Sequence, residues 1–206
     1  YSQRTNLQLE TRLAIKAREV VERGMQDIAY NGNTEYGIQG FLNNTQIPSE
    51  NVVNGAQGTP AWSTKKPDEI IFDVIDIVAS MLDDTNEVEV PNRLLLPVKQ
   101  FNALIQPRST QSDTSILKYL TDTLTSRVGE PFIISTLPQL KGSGTGGKDV
   151  MLLYRYDSDK LELRIPQEVL AIGPYREPLR YINIVNALCG GTIIRYPKSL
   201  RRGEGI

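Results

Sequence analysis

The sequence has no histidine and one cysteine, Cys189, in 206 residues. Histidine is the commonest general base and zinc ligand, so its absence removes Ser–His and Cys–His nucleophiles and His-based metal sites. A single cysteine allows no intramolecular disulfide and no multi-cysteine zinc site. Following Ala187-Leu188, it reads as a small buried residue. No stretch approaches the ~20 apolar residues of a membrane-spanning helix. An excess of one charge is lacking too: 23 Lys and Arg against 24 Asp and Glu leave a formal charge of −1. A protein that grips nucleic acid by its phosphates carries a basic excess. The basic pairs Lys65-Lys66 and Arg201-Arg202 are short and read as solvated surface charge. The start, Tyr1-Ser2-Gln3-Arg4, is neither an initiator methionine nor a signal peptide. The chain therefore reads as a fragment or processed product whose natural N-terminus lies upstream.

What is present is an ordinary folded composition, 39% hydrophobic and 23% charged, enough for one large domain or two lobes. Leu9, Leu13, Ala17, Val20, Val21, Met25 and Ile28 recur at helical spacing and predict one long amphipathic helix from about Asn6 to Tyr30. Glu19 and Arg23 are spaced to pair on its polar side. Asn31-Gly32-Asn33 ends it. Residues 45 to 67 read as an irregular loop anchored by Trp62. Pro67-Asp68-Glu69 opens a second helix, apolar on a broad face from Ile70 to Leu82. Arg93-Leu94-Leu95-Leu96 reads as a buried strand. Pro97 starts a third helix with Val98, Phe101, Leu104 and Ile105 inward. Ser112 or Asp113 can cap a fourth, carrying Ile116, Leu117, Leu120 and Leu124.

The second half changes to strands. These are Phe132 to Ile134, Val150 to Tyr156, Leu161 to Ile165, Tyr181 to Leu188 and Thr192 to Tyr196. Asp157-Ser158-Asp159-Lys160 reads as the turn of a hairpin joining the second and third. Helices followed by strands, with long-range sheet closure, make this an α+β chain.

Gly142-Ser143-Gly144-Thr145-Gly146-Gly147-Lys148 satisfies G-x-G-x-x-G and the first part of a phosphate-binding loop. Both motifs need a helix immediately afterwards, and the second needs Ser or Thr after the lysine. Asp149 and an apolar strand follow instead, so the segment reads as an inter-strand loop. The carboxylate pairs Asp73/Asp76, Asp83/Asp84 and Asp157/Asp159 have the residue types of a glycosidase or hard-metal site. Helical spacing places Asp73 and Asp76 on a solvated face, and turn chemistry accounts for Asp157 and Asp159. No catalytic, cofactor-binding or metal-ligating residue is expected.

Several strings, in order, resemble the major capsid proteins of tailed phages with the Hong Kong 97 type fold. The long helix leading into Tyr36-Gly37-Ile38-Gln39-Gly40-Phe41-Leu42-Asn43 looks like that family's spine helix and its G-[IL]-x-G-[LF]-x-N segment. Pro91-Asn92-Arg93-Leu94-Leu95-Leu96-Pro97 is similar to its P-N-x-L-[LV]-[LM]-P strand. Asp68 to Leu82, Leu140 to Asp149, Leu161 to Gln167 and Cys189 to Pro197 match other family segments. The resemblance implies a peripheral domain of residues 1–44 and 171–206, a spine helix on a sheet, and an axial domain of residues 45–170. It implies that the N-terminal arm and extended loop are missing, which would leave this chain monomeric or weakly associated.

The implied function is a capsid shell subunit of a phage or prophage. Its partners would be copies of itself in pentamers and hexamers, scaffolding or portal proteins, and non-specifically packaged DNA, with no membrane and no cofactor. Assembly would take place in the bacterial host cytoplasm. Three other readings stay open: an encapsulin-like nanocompartment shell, a phage tail or connector component, and a nucleotide-binding enzyme using the Gly142–Lys148 loop.

Overall fold

The computed structural model describes residues 2–109, 112–178 and 180–206. In chain order the elements are α1 (Ser2–Asn31), β1 (Ser49–Asn51), α2 (Pro67–Asp84), β2 (Arg93–Leu96), α3 (Val98–Ile105), β3 (Pro107–Ser109), β4 (Ser112–Ser115), α4 (Ile116–Val128), β5 (Ile133–Thr136), β6 (Val150–Tyr154), β7 (Leu161–Arg164), β8 (Gln167–Glu177), β9 (Arg180–Leu188), β10 (Gly191–Ile194) and β11 (Leu200–Glu204). They form two compact units, residues 1–44 with 162–193 and residues 45–161 with 194–206.

In the first unit α1 runs 30 residues, about 45 Å at helical rise. Its polar face carries Lys16–Glu19 and Arg18–Glu22 ion pairs, each 2.7 Å. Glu19 therefore pairs with Lys16, not mainly with Arg23. Its carboxyl lies below the ordinary value because the Lys16 ammonium donates to it and adds its charge. Ala17, Val21, Met25 and Ile28 are half-buried and Ala29 buried, but Leu13 and Val20 stand exposed at 56% and 68%. The reason is width. The helix lies against β8 and β9, an antiparallel ribbon of two strands, which covers a narrower strip than the sequence stripe offers. The sequence reading missed β8, because Gly173-Pro174 interrupts its pattern. The ladder shifts register between Ile172 and Tyr175, which is how a strand takes in a proline.

Beyond α1 the chain doubles back on the helix end. Phe41 and Leu42 amides donate to the Ala29 and Tyr30 carbonyls at 2.9 and 2.8 Å, and Gly32 N–H to Ile28 O at 2.9 Å. These bonds satisfy carbonyls that a helix end leaves free. Asn43 locks the return: its Oδ1 accepts from Gly40 N at 2.6 Å and its Nδ2 donates to Asn31 O at 2.5 Å. A Cβ on Gly40 would lie 2.3 Å from Tyr30 O and 2.4 Å from Gly32 N. Two backbones touch here, and only glycine permits it. In the same corner Thr192 Oγ1 donates to Ala29 O at 2.7 Å.

The second unit is built on a five-stranded sheet, β1-β11-β6-β2-β5. β6 is antiparallel to both neighbours, while β1/β11 and β2/β5 are parallel pairs. Val150, Met151, Leu152 and Leu153 are all buried, as a continuous apolar run in a strand covered on both faces requires. One face packs Met151, Leu153, Leu94 and Leu96 against α2, α3 and α4, with Val74, Ile77, Leu104, Leu120 and Leu124 in the same core. α2 lies directly on β11 because Gly203 has no side chain. A Cβ there would meet Met151 Cε at 2.7 Å and Ile77 Cδ1 at 2.8 Å.

Four local expectations are corrected. β6 and β7 are not a hairpin: β6 already has β2 and β11 on its edges, and β7 pairs with β10. The Asp157–Lys160 turn forms all the same, with Asp157 Oδ1 accepting from Asp159 N at 3.0 Å. In α3, Val98 and Ile105 are 47% and 54% exposed, because Gln100 takes an inward position beside Phe101 and Leu104. Helix α4 is capped by Ser115, the last residue of β4, whose Oγ accepts from Lys118 N at 3.2 Å, while Ser112 and Asp113 lie earlier in that strand. Finally, β11 escaped the sequence reading, and it draws residues 194–206 into the sheet unit. Residues 162–170 fall in the α1 unit; the division after residue 44 coincides with the expected one, and those in the second half of the chain lie at 161/162 and 193/194.

Candidate functional site

The glycine-rich loop is followed by β6, not by a helix. Its amides are already taken by carboxylates of this chain. Gly142 N donates to Asp149 Oδ1 at 2.9 Å and Thr145 N to Glu204 Oε2 at 2.9 Å. Gly144 N closes onto Lys148 O at 2.9 Å. In a phosphate-binding loop such amides point at the ligand and a helix terminus adds its partial charge. Here two acids fill the role of the anion, and Arg202 Nη2 holds the loop on the sheet by donating to Ser143 O at 3.1 Å. The loop is a lid on the second face of the sheet. ATP with magnesium is expected to leave the melting temperature of the protein unchanged in a thermal-shift assay. A saturable rise of several degrees would restore the nucleotide reading.

The paired carboxylates separate in the structure. Asp76 is exposed, whereas Asp73 is buried, which corrects the expectation of a solvated pair. Lys65 Nζ donates to Asp73 Oδ1 and Oδ2 at 2.8 and 2.6 Å and to Val53 O at 2.6 Å. Trp62 Nε1 donates to Asp73 Oδ2 at 2.8 Å. The anchor expected of Trp62 is real, and its polar end is this carboxylate. Burial raises the Asp73 carboxyl above its ordinary value, with Lys65 and Trp62 pulling the other way. One acid on α2 thus fastens three points of the 45–66 loop. Glu69 adds two more, accepting from Ala56 N and Lys66 N at 2.8 Å each.

Arg201 is likewise buried, not solvated. Its Nη1 donates to Glu50 Oε2 at 3.0 Å and to Ser80 Oγ, and its Nη2 pairs with Asp84. Ser80 Oγ donates to Glu50 Oε2 at 2.8 Å. The cluster staples β1, β11 and α2, and takes Asp84 away from Asp83. Sequence reasoning missed Lys65, Arg201 and Glu50 because no periodicity links them. For Asp73 a signal existed: it sits three residues after Ile70 and four before Ile77, on the buried stripe. Gln100 is buried, donating to Asp149 Oδ2 at 2.7 Å and Ile206 O at 3.2 Å, and its Oε1 has no donor among the described residues.

No histidine, cysteine or carboxylate group of three or more gathers as a metal site among the described residues. Nor is any described helix long and apolar enough to cross a membrane. The buried polar side chains bond to each other and to backbone, which makes them braces for shape. What such a chain offers to the outside is its surface.

A family profile described as major capsid protein matches residues 1–206. The chain belongs to the major capsid protein family. No curated protein matches its sequence. Among solved structures, this family member is similar to the capsid of Myoviridae phage XM1, at TM-score 0.78 and 16% identity over 96% of this chain and 65% of that one. It is similar to the capsid of an empty GTA particle, at TM-score 0.59 and 13% identity over 97% and 73% of the two chains. A virus-like particle from Pyrococcus furiosus gives TM-score 0.55 and 13% identity over 79% and 58%. The capsid family member described here thus spans about two thirds of the length of the XM1 chain it matches. Its α+β fold is the Hong Kong 97 type capsid fold expected from the sequence.

Proposed function

We propose that the chain is a structural subunit of an icosahedral phage or prophage shell that encloses DNA, assembled in the cytoplasm of a bacterial host. The observation that carries this reading is the family match along the whole chain, joined to a fold similar to capsid subunits over 96% of its length. A shell protein needs rigid shape and complementary edges, not a reacting group. The buried ion pairs at Asp73 and Arg201 supply rigidity of that kind, and no catalytic role is assigned to either. In this reading the α1 unit is the peripheral domain and the sheet unit the axial domain, packed around the five- and six-fold axes. Scaffolding and portal proteins are the further partners proposed.

The test is to purify particles from cells that encode the chain, identify their main protein by mass spectrometry, and image them. Icosahedral shells made of this chain, with nuclease-protected DNA inside, are expected. Shells that hold a protein cargo and no DNA would favour the nanocompartment reading. Particles that lack the chain would refute both.

A further inference from the structure

The sheet unit carries two surfaces of opposite charge, and this inference rests on the shell reading above. The first is the solvent side of α2. Asp68, Phe72, Asp76 and Asp83 recur on it at spacings of four, four and seven and are all exposed, Phe72 at 74%. They make an acidic stripe about 22 Å long with an aromatic knob. Asp76 and Asp83 have no cation partner among the described residues, and Asp68 has only a loose 3.4 Å contact with Arg108, itself partly exposed. The second surface is a groove of two adjoining cavities of about 430 and 380 Å³, which share Lys99, Gln100 and Asp149. Lys148 lines one and Lys141 the other. Lys99, Lys141 and Lys148 are exposed, and none pairs with a carboxylate among the described residues. The one acidic side chain lining the groove, Asp149, has both oxygens bound by Gly142 and Gln100. The groove and the stripe lie on either side of the Trp62–Lys65 segment, whose residues line a cavity on each flank.

We infer that the acidic, Phe72-bearing face of α2 in one copy docks into the lysine-lined groove of a second copy. Opposite potentials steer and orient such an encounter, and like potentials oppose groove-to-groove or stripe-to-stripe contact. Because the two surfaces differ, the contact is head-to-tail and generates a ring when its rotation closes. Phe72 supplies the buried apolar anchor that an interface centre needs, with the carboxylates at its rim. The three lysines are too few to act as a nucleic-acid groove in a chain of net charge −1, and the complementary stripe on the same unit favours a second copy.

The test mixes isotope-labelled and unlabelled full chain, joins amine to carboxylate with a carbodiimide, and locates the bonds by mass spectrometry. Bonds between copies from Lys99, Lys141 or Lys148 to Asp68, Asp76 or Asp83 are expected, weakening as salt is raised. A second arm reverses charge. Lys99→Glu with Lys141→Glu and Lys148→Glu forms one variant, and Asp68→Lys with Asp76→Lys and Asp83→Lys the other. Each alone should associate at least about tenfold more weakly in sedimentation, and their mixture should recover. Circular dichroism checks that both are folded, and the milder Lys→Gln and Asp→Asn sets replace any that is not. Bonds confined to other surfaces, a mixture no better than either variant, or lysine-dependent DNA binding without recovery on mixing would overturn the inference. Charge-reversed variants that still build shells by themselves would overturn it while leaving the shell reading intact. Recovery on mixing, with particles that lack the chain, would do the reverse.

Discussion

Lys65→Ala is expected to destabilise the sheet unit by about 3–5 kcal/mol at neutral pH, because it leaves the Asp73 carboxylate buried without its counter-charge. The loss should also depend on pH, with a sign fixed by the direction of the Asp73 shift. Burial raises that carboxyl in the folded state above its unfolded value. The folded chain therefore binds the proton more tightly, and the contribution of Asp73 is most favourable below the unfolded value of about 3.9. It declines as pH rises through the raised folded value. Without the Lys65 ammonium nothing but Trp62 opposes burial, so the window widens upward and the penalty of Lys65→Ala should shrink as the solution is acidified. Trp62 is the only tryptophan, so its fluorescence during urea denaturation reports on this site directly. The double variant Lys65→Met with Asp73→Leu is expected to regain most of the loss, since well-packed apolar residues replace a buried pair at little cost. A Lys65→Ala protein as stable as the parent from pH 4 to pH 8 would show that the pair is not a brace.

Gly40→Ala is the second large effect, expected to destabilise the α1 unit by roughly 3 kcal/mol or more. The new Cβ would fall 2.3 Å from Tyr30 O, so backbone on one side of the return must move. The bonds from Phe41 and Leu42 to the helix end and from Gly40 to Asn43 would then open together. Gly37→Ala is the control. Gly37 has positive φ, +66, as Gly40 does not, and a Cβ there would meet nothing within 4 Å. Its cost should stay near the ~1–2 kcal/mol of a left-handed alanine. Hydrogen exchange of the amides of Gly32, Gly40, Phe41 and Leu42 measures both. A Gly40→Ala protein that keeps the parent's protection at these amides would mean that the close approach does not set the requirement for glycine at position 40.

Elements with strong local signals were legible in the sequence. α1 and α2 follow from apolar periodicity, β2 and the Val150–Leu153 core strand from short continuous apolar runs, and the turn after α1 from Asn31-Gly32-Asn33. The absence of histidine and the lone cysteine narrowed the chemistry before any fold was known. The string Gly37 to Asn43 was recognisable as a family segment, although what each glycine and Asn43 does in it was not.

The sequence by itself determined the α+β class, the long helix, the apolar core residues of α2 and α4, and the inability of residues 142–148 to open a helix. These are local properties, set within a few residues by period, turn chemistry and the identity of the next residue. Tertiary structure alone decided that β11 closes the sheet, that β7 pairs with β10, and that Lys65, Asp73, Arg201 and Glu50 are buried partners. Strand pairing and ion pairing join residues as far apart as Glu50 and Arg201, and a charge carries no mark in sequence of whether its counter-charge will fold against it. The burial that turns Asp73 from a surface acid into a brace exists only once Trp62, Lys65 and α2 have met.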